Sequence, residues 1–215
     1  MSGVAVKICG VCSAADAELV TAAGAEYIGV ILAPDRARTR TLAEAADILA
    51  ASGARRVGVF VDAGYDEVLR AAERLRLDVL QLHGSEPPEL VARLAESGAG
   101  VTWKAVAVRA ADDVRGAAAA YAHAAHGILL DGWSSRGHGG VGARFDWNDA
   151  ARALPALPSA VTLIVAGGLD SGNVGDVISL LRPAVVDVSS GVEESSCRKS
   201  AERTRAFIAA AHDAA

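Results

Sequence analysis

The sequence predicts an α/β fold, a (β/α)8 TIM barrel forming one compact domain over residues 1–215. Three observations carry that expectation. Short runs rich in Val, Ile and Leu recur from end to end, an alanine-rich stretch with helical spacing follows nearly every one, and the alternation repeats eight times. No G-x-G-x-x-G follows the first run, so the eightfold count favours a closed barrel over a doubly wound open sheet. At 215 residues the chain is near the short end for such a barrel, and its loops must be compact.

The elements can be justified in order. A first strand over Val4 to Cys9 leads to a helix from near Ser13, whose hydroxyl suits a helix N-cap. Tyr27 to Leu32 leads to a helix from near Thr41, and Val57 to Asp62 to one from near Tyr65. Val79 to His83 precedes a helix opening at Pro87, a residue tolerated in a first turn. Val101 to Val108, Gly127 to Asp131, Thr162 to Gly167 and Val185 to Ser190 complete the strands. Their helices begin near Ala110, Asn148, Gly172 and Arg198. The longest non-periodic stretch, Gly132 to Arg144, holds Gly137, Gly139, Gly140 and Gly142 and reads as a mobile loop over one end.

Composition narrows the partners. Hydrophobic residues make up 52%, and 21 Lys and Arg stand against 26 Asp and Glu, for a net charge of -5 with no basic run. That balance argues against a nucleic-acid surface and for a small solute. The N-terminus lacks a signal-peptide pattern and its apolar stretch is too short to cross a bilayer, so a cytoplasmic address and no membrane partner are expected. Three cysteines, Cys9, Cys12 and Cys197, are too few and too odd for a disulfide framework, and reduced thiols are expected.

In a barrel of this class the site lies where strands end. Alternation on the first strand puts Ala5, Lys7 and Cys9 on the inner face. Lys7 would then favour the Cys9 thiolate as base or nucleophile, although a small buried thiol is the plain alternative. Asp131 ends a strongly apolar strand, where partial burial would keep it protonated as an acid and simple capping would leave it ionised. Gln81 and His83 share a face of the fourth strand, with a structural histidine the plainer reading. Asp187 on the eighth strand is placed to pair with Lys7 if the barrel closes, either as an internal salt bridge or to tune Cys9. The glycine turns Ala166-Gly167-Gly168-Leu169 and Ser189-Ser190-Gly191-Val192 fall after strands seven and eight, where this fold binds phosphate, and Asn173 is a candidate cap beside them. Cys9-x-x-Cys12 raises a redox or zinc reading, but no second such pair and no histidine ligand spacing accompany it; no metal is expected.

KICG at 7–10, GVFVD at 58–62, QLHG at 81–84, LLDG at 129–132, AGGL at 166–169 and DVSSGVE at 187–193 together resemble the phosphoribosylanthranilate isomerase family, in order along nearly the whole chain. The resemblance implies a cofactor-free barrel enzyme at the third step from chorismate to tryptophan. It would convert N-(5-phosphoribosyl)anthranilate into 1-(2-carboxyphenylamino)-1-deoxyribulose 5-phosphate by an Amadori rearrangement. It also implies Asp131 as general acid and Cys9 as general base. Phosphate would lie on Gly167, Gly168, Ser190 and Gly191, with Gly140 and Gly142 closing over it. The family's Ser-Pro-Arg, whose arginine grips the anthranilate carboxylate, is replaced by Arg36-Ala37-Arg38, and Arg38 is the expected equivalent with Arg36 the alternative.

Other departures are Val141 in the usual GGTG loop, Asp62 for asparagine, and Ser196-Cys197-Arg198-Lys199-Ser200 in place of Pro-Gly-x-Lys-Asp. A related isomerase of histidine biosynthesis would need an aspartate where Cys9 stands. A noncatalytic phosphate-ligand protein would not need both Cys9 and Asp131. A monomer and a homodimer are equally compatible with the sequence.

Overall fold

The computed structural model describes residues 3–132 and 144–215. Eight parallel strands close into a barrel: β1 (Ala5–Cys9), β2 (Tyr27–Ile31), β3 (Arg55–Phe60), β4 (Val79–Leu82), β5 (Val101–Val108), β6 (Gly127–Gly132), β7 (Thr162–Val165) and β8 (Val185–Val188). They alternate with α1 (Ala14–Ala22), α2 (Leu42–Ala50), α3 (Tyr65–Leu75), α4 (Pro88–Glu96), α5 (Ala111–Tyr121), α6 (Trp147–Ala153), α7 (Val174–Leu181) and α8 (Ala201–Asp213). β1 pairs with β8, Lys7 opposite Asp187, which shuts the ring.

Side-chain alternation builds two apolar shells. Val6 and Ile8 of β1, with Ile28 and Val30 of β2, face the helices. Inside the ring, Tyr27, Val57, Val79, Trp103, Leu129, Ile164 and Val185 pack around one another, and the Tyr27 and Trp103 rings meet at 5.3 Å. The apolar plug fills the barrel below and leaves the polar residues at the strand ends above it. Local signals set the helix starts: Ser13, Asp146 and Ser200 accept from backbone N–H groups of the first turn, and Thr41 with Glu44 forms a capping box.

The structure corrects three boundaries. Strands predicted to reach Asp62, Gly167 and Ser190 leave the sheet two residues earlier, at Phe60, Val165 and Val188, because the chain turns there into the site loops. The last helix begins at Ala201 rather than near Arg198. Arg198–Lys199 instead forms β10, antiparallel to β9 (Glu193–Ser195), a hairpin outside the barrel. Asn173 does not cap α7: its side chain accepts from Asp170 N–H at 3.0 Å and donates to the Gly168 carbonyl at 3.0 Å, bracing the AGGL turn. Gly140 and Gly142, with the rest of residues 133–143, lie outside the described residues.

Candidate active site

A cavity of about 400 Å³ opens at the C-terminal ends of the strands. Cys9, Gln81, His83, Asp131 and Asp187 line it from four sides of the ring. Gly167 and Gly168 from the turn after β7, and Ser190 and Gly191 from the turn after β8, close another side; Arg36 and Arg38 form its rim.

Lys7 is the exception among the expected residues. It is fully buried behind the wall, its Nζ donating to Asp187 Oδ2 at 2.8 Å. Burial works against its charge, yet Asp187 and the Cys9 sulfur together hold its pKa above the ordinary lysine value. The sequence placed this ammonium as the group that would favour a Cys9 thiolate, and here the balance goes the other way. Burial pushes the Cys9 thiol above its usual range, and Lys7 recovers only part of that shift. The reason is geometric: the lysine charge is already engaged by a carboxylate. Gly29 of β2 makes room for the arrangement, since a Cβ there would stand 3.1 Å from Cys9 Sγ and 3.2 Å from Lys7 Nζ.

Across the cavity, β4 and β6 bring three side chains into line. Gln81 Nε2 lies 2.9 Å from His83 Nδ1, and His83 Nε2 lies 3.2 Å from Asp131 Oδ2. All three are largely shielded, Gln81 most of all at 1% exposure.

The two glycine turns are pressed together. Gly167 and Gly168 have φ of 92° and 63°, and a Cβ on Gly191 would fall 2.0 Å from the Leu169 carbonyl oxygen, so glycine is required there. Gly191 belongs to a short 3₁₀ turn, Ser190–Val192. The result is a concave backbone surface of the kind that receives an anion.

At the rim, Arg38 donates from Nε and Nη2 to Glu193 Oε1 and Oε2 at 2.7 and 2.6 Å. Glu193 also meets Lys199 Nζ at 3.0 Å, and Lys199 donates to the carbonyls of Cys9 at 2.7 Å and Ser189 at 3.1 Å. Among the described residues, the Arg36 guanidinium has no carboxylate partner. Sequence reasoning assigned no role to Glu193 or Lys199, although both lie in the segments it compared; their function as struts depends on partners that only folding brings together. It also passed over Lys104, whose charge within an apolar strand was the available signal. Lys104 Nζ binds the Gly84 and Ala105 carbonyls at 2.8 and 2.7 Å and Glu86 at 3.0 Å, while Glu86 accepts from Asp62 and Gly84 N–H groups at 3.0 Å. This buried pair fixes the loop that carries His83.

Cys9 and Cys12 do not act as a C-x-x-C pair. Cys9 points into the barrel, whereas the Cys12 thiol sits against Cys197 at the tip of the β9–β10 hairpin. No cluster of three or more metal-ligating side chains occurs among the described residues.

The family model for N-(5'-phosphoribosyl)anthranilate isomerase matches residues 6–210. The chain belongs to this family. It is 40% identical to the N-(5'-phosphoribosyl)anthranilate isomerase of Rubrobacter xylanophilus, over 96% of this chain and 98% of that one. The isomerase of Acidithiobacillus ferrooxidans is 41% identical, over 97% and 98% of the two chains. Among solved structures, the phosphoribosyl anthranilate isomerase of Thermotoga maritima superposes with a TM-score of 0.88 at 34% identity, over 97% of this chain and 98% of that one. A further phosphoribosyl anthranilate isomerase, in complex with reduced 1-(o-carboxyphenylamino)-1-deoxyribulose 5-phosphate, superposes with a TM-score of 0.84 at 33% identity, over 97% and 98%. The barrel of this phosphoribosylanthranilate isomerase family member is therefore shared along nearly its full length.

Proposed function

We propose that the chain performs the family's reaction, the isomerisation of N-(5-phosphoribosyl)anthranilate in tryptophan biosynthesis, with Asp131 as general acid and Cys9 as general base. The observation that carries this reading is the placement of Cys9 and Asp131 on one cavity that also exposes both glycine turns. In the first step Asp131 gives its proton to the ribose ring oxygen, the bond from that oxygen to C1′ breaks, and the sugar opens to an iminium. The Cys9 thiolate then removes the C2′ proton, now acidified by the iminium, to give an enolamine that tautomerises to the ketone. These two proton transfers need no cofactor or metal.

The phosphate is assigned to the N–H groups around Gly167, Gly168, Ser190 and Gly191, with Gly140 and Gly142 proposed to cover it. Arg38 is assigned to the anthranilate carboxylate. Glu193 engages one edge of its guanidinium through Nε and Nη2, and the edge formed by its two terminal nitrogens keeps donors for a ligand. Gln81, His83 and Asp187 complete the ligand wall, and Lys7 acts from behind it through Cys9 and Asp187. The reduced product analogue held by the family member described above is consistent with a small phosphorylated ligand.

With this reading goes a single domain over residues 1–215, acting in the cytoplasm without nucleic acid or membrane, as a monomer or a homodimer. A dimeric form is known for the Thermotoga maritima isomerase, and among the described residues no helix is long and apolar enough to cross a membrane.

A fluorescence assay with freshly generated phosphoribosylanthranilate tests the assignment. Turnover by the wild-type chain that disappears in Cys9→Ala supports reaction and base together; folded wild-type protein without turnover sinks the assignment.

A further inference from the structure

The three-membered line of Gln81, His83 and Asp131 does more than furnish ligand contacts. We propose that Gln81 and His83 are positioning residues that decide which oxygen of Asp131 carries the catalytic proton. The inference rests on Asp131 being the general acid.

The Gln81 amide nitrogen, which can only donate, faces His83 Nδ1 at 2.9 Å. Nδ1 is then an acceptor, and the neutral imidazole carries its hydrogen on Nε2. Nε2 lies 3.2 Å from Asp131 Oδ2, so the ring donates to that oxygen. With Oδ2 engaged as an acceptor, the acid proton is confined to Oδ1, the oxygen left for the ligand. The opposite amide orientation would put the Gln81 carbonyl against Nδ1, make Nε2 an acceptor and draw the acid proton onto Oδ2, into a bond with His83 and away from substrate.

Burial discriminates between the two arrangements. Gln81 is 1% exposed, and its Oε1 has no hydrogen-bond partner among the described residues. Reversing the amide would exchange one unpartnered acceptor for an NH₂ group with two donors at the same place, and buried orphan donors are the rarer and costlier case. A second reason lies in the charges around the acid. Asp187 from β8 faces both Asp131 and His83, and Lys7 from β1 engages Asp187. Once Asp131 has given up its proton, two carboxylates share this wall. The His83 Nε2–H is the donor in contact with the newly formed charge.

The histidine tautomer is directly observable. In protein labelled with 15N at histidine, the His83 resonances, assigned by their loss in His83→Asn, should show a protonated Nε2 and an unprotonated Nδ1. Gln81→Met, which removes the donor at similar volume, should reduce that preference. In steady-state measurements His83→Asn should lower kcat by about 10- to 100-fold, a larger factor than any accompanying rise in KM. A wild-type His83 protonated on Nδ1 overturns the proposal, as does a rise in KM at unchanged rate. Asp131→Asn separates the two levels. An inactive Asp131→Asn beside an unslowed His83→Asn removes the positioning pair alone, whereas an active Asp131→Asn removes the general acid and the pair with it.

Discussion

Cys9, the proposed base, is set in a wall that disfavours its charge. Burial holds the thiol above its ordinary value, so on that proposal proton abstraction would fall to a minor thiolate population. Cys9→Ser should lower kcat by at least about 100-fold with an unchanged circular-dichroism spectrum and melting temperature, since the hydroxyl fits the space but yields its proton far less readily. Wild-type-like turnover in that variant would move the base elsewhere. Arg38→Ala should raise KM by about tenfold with a smaller effect on kcat, while Arg36→Ala leaves KM near wild type; the reverse ranking would transfer the carboxylate to Arg36. The places of Cys9 and Asp131 on the cavity were legible from sequence because each lies at or next to the end of an apolar strand, where such a side chain is conspicuous. Glu193 was not. Its meaning lies in Arg38, 155 residues away, and only closure of the fold joins them.

At the scale of elements, the departures from the family pattern acquire physical reasons. Cys197 stands at the glycine position of the Pro-Gly-x-Lys-Asp pattern named in the resemblance, and its φ of 64° is the left-handed conformation that glycine adopts without strain. Cys197→Gly should relieve that strain against a more flexible unfolded chain, a net change within about 1 kcal/mol, and denaturant melts should place it on the stabilising side. A loss of stability would mean that the contact with Cys12 outweighs the strain. Gly29 presents the opposite case. A methyl group there would press on Cys9 and Lys7, so Gly29→Ala should reduce kcat more than it reduces the melting temperature. Equal losses in both would reduce Gly29 to a packing position. Residues 9 and 12 fall on opposite sides of the strand end, one inside the barrel and the other beside the hairpin. The β9–β10 hairpin was missed because two- and three-residue strands carry too little periodicity to be read.

For the whole molecule, the eightfold alternation was enough to predict a closed barrel, because every strand is masked by helices and reads as an apolar run. What it could not supply was the end of each strand, where departure from the sheet is decided by loop contacts such as the Lys104–Glu86 pair. The same buried groups predict the response to alkali. Cys12 rises from 9.0 to about 12, chiefly through burial, and Cys9 and Lys7 are also raised. A raised folded-state value means that the native protein keeps protons the unfolded chain has released. The stability contributed by Cys12 is therefore complete below pH 9 and is lost as pH climbs toward about 12. Lys104 and Lys199, whose values burial lowers, act in the opposite sense over the same range. In thermal melts from pH 8 to 11, Cys12→Ala should therefore lose less stability per pH unit than the wild type, and equal slopes would remove the Cys12 contribution.

Closure between β1 and β8 also has a temporal consequence. Lys199 binds the carbonyl of Cys9 across 190 positions of sequence, and Lys7 meets Asp187 across 180. At a synthesis rate of about 5–20 residues per second, roughly 10–40 s separate the emergence of Lys7 and Cys9 from that of the residues that seat them. Until then, neither the Lys7 ammonium nor the Cys9 carbonyl has the partner that it meets in the closed barrel.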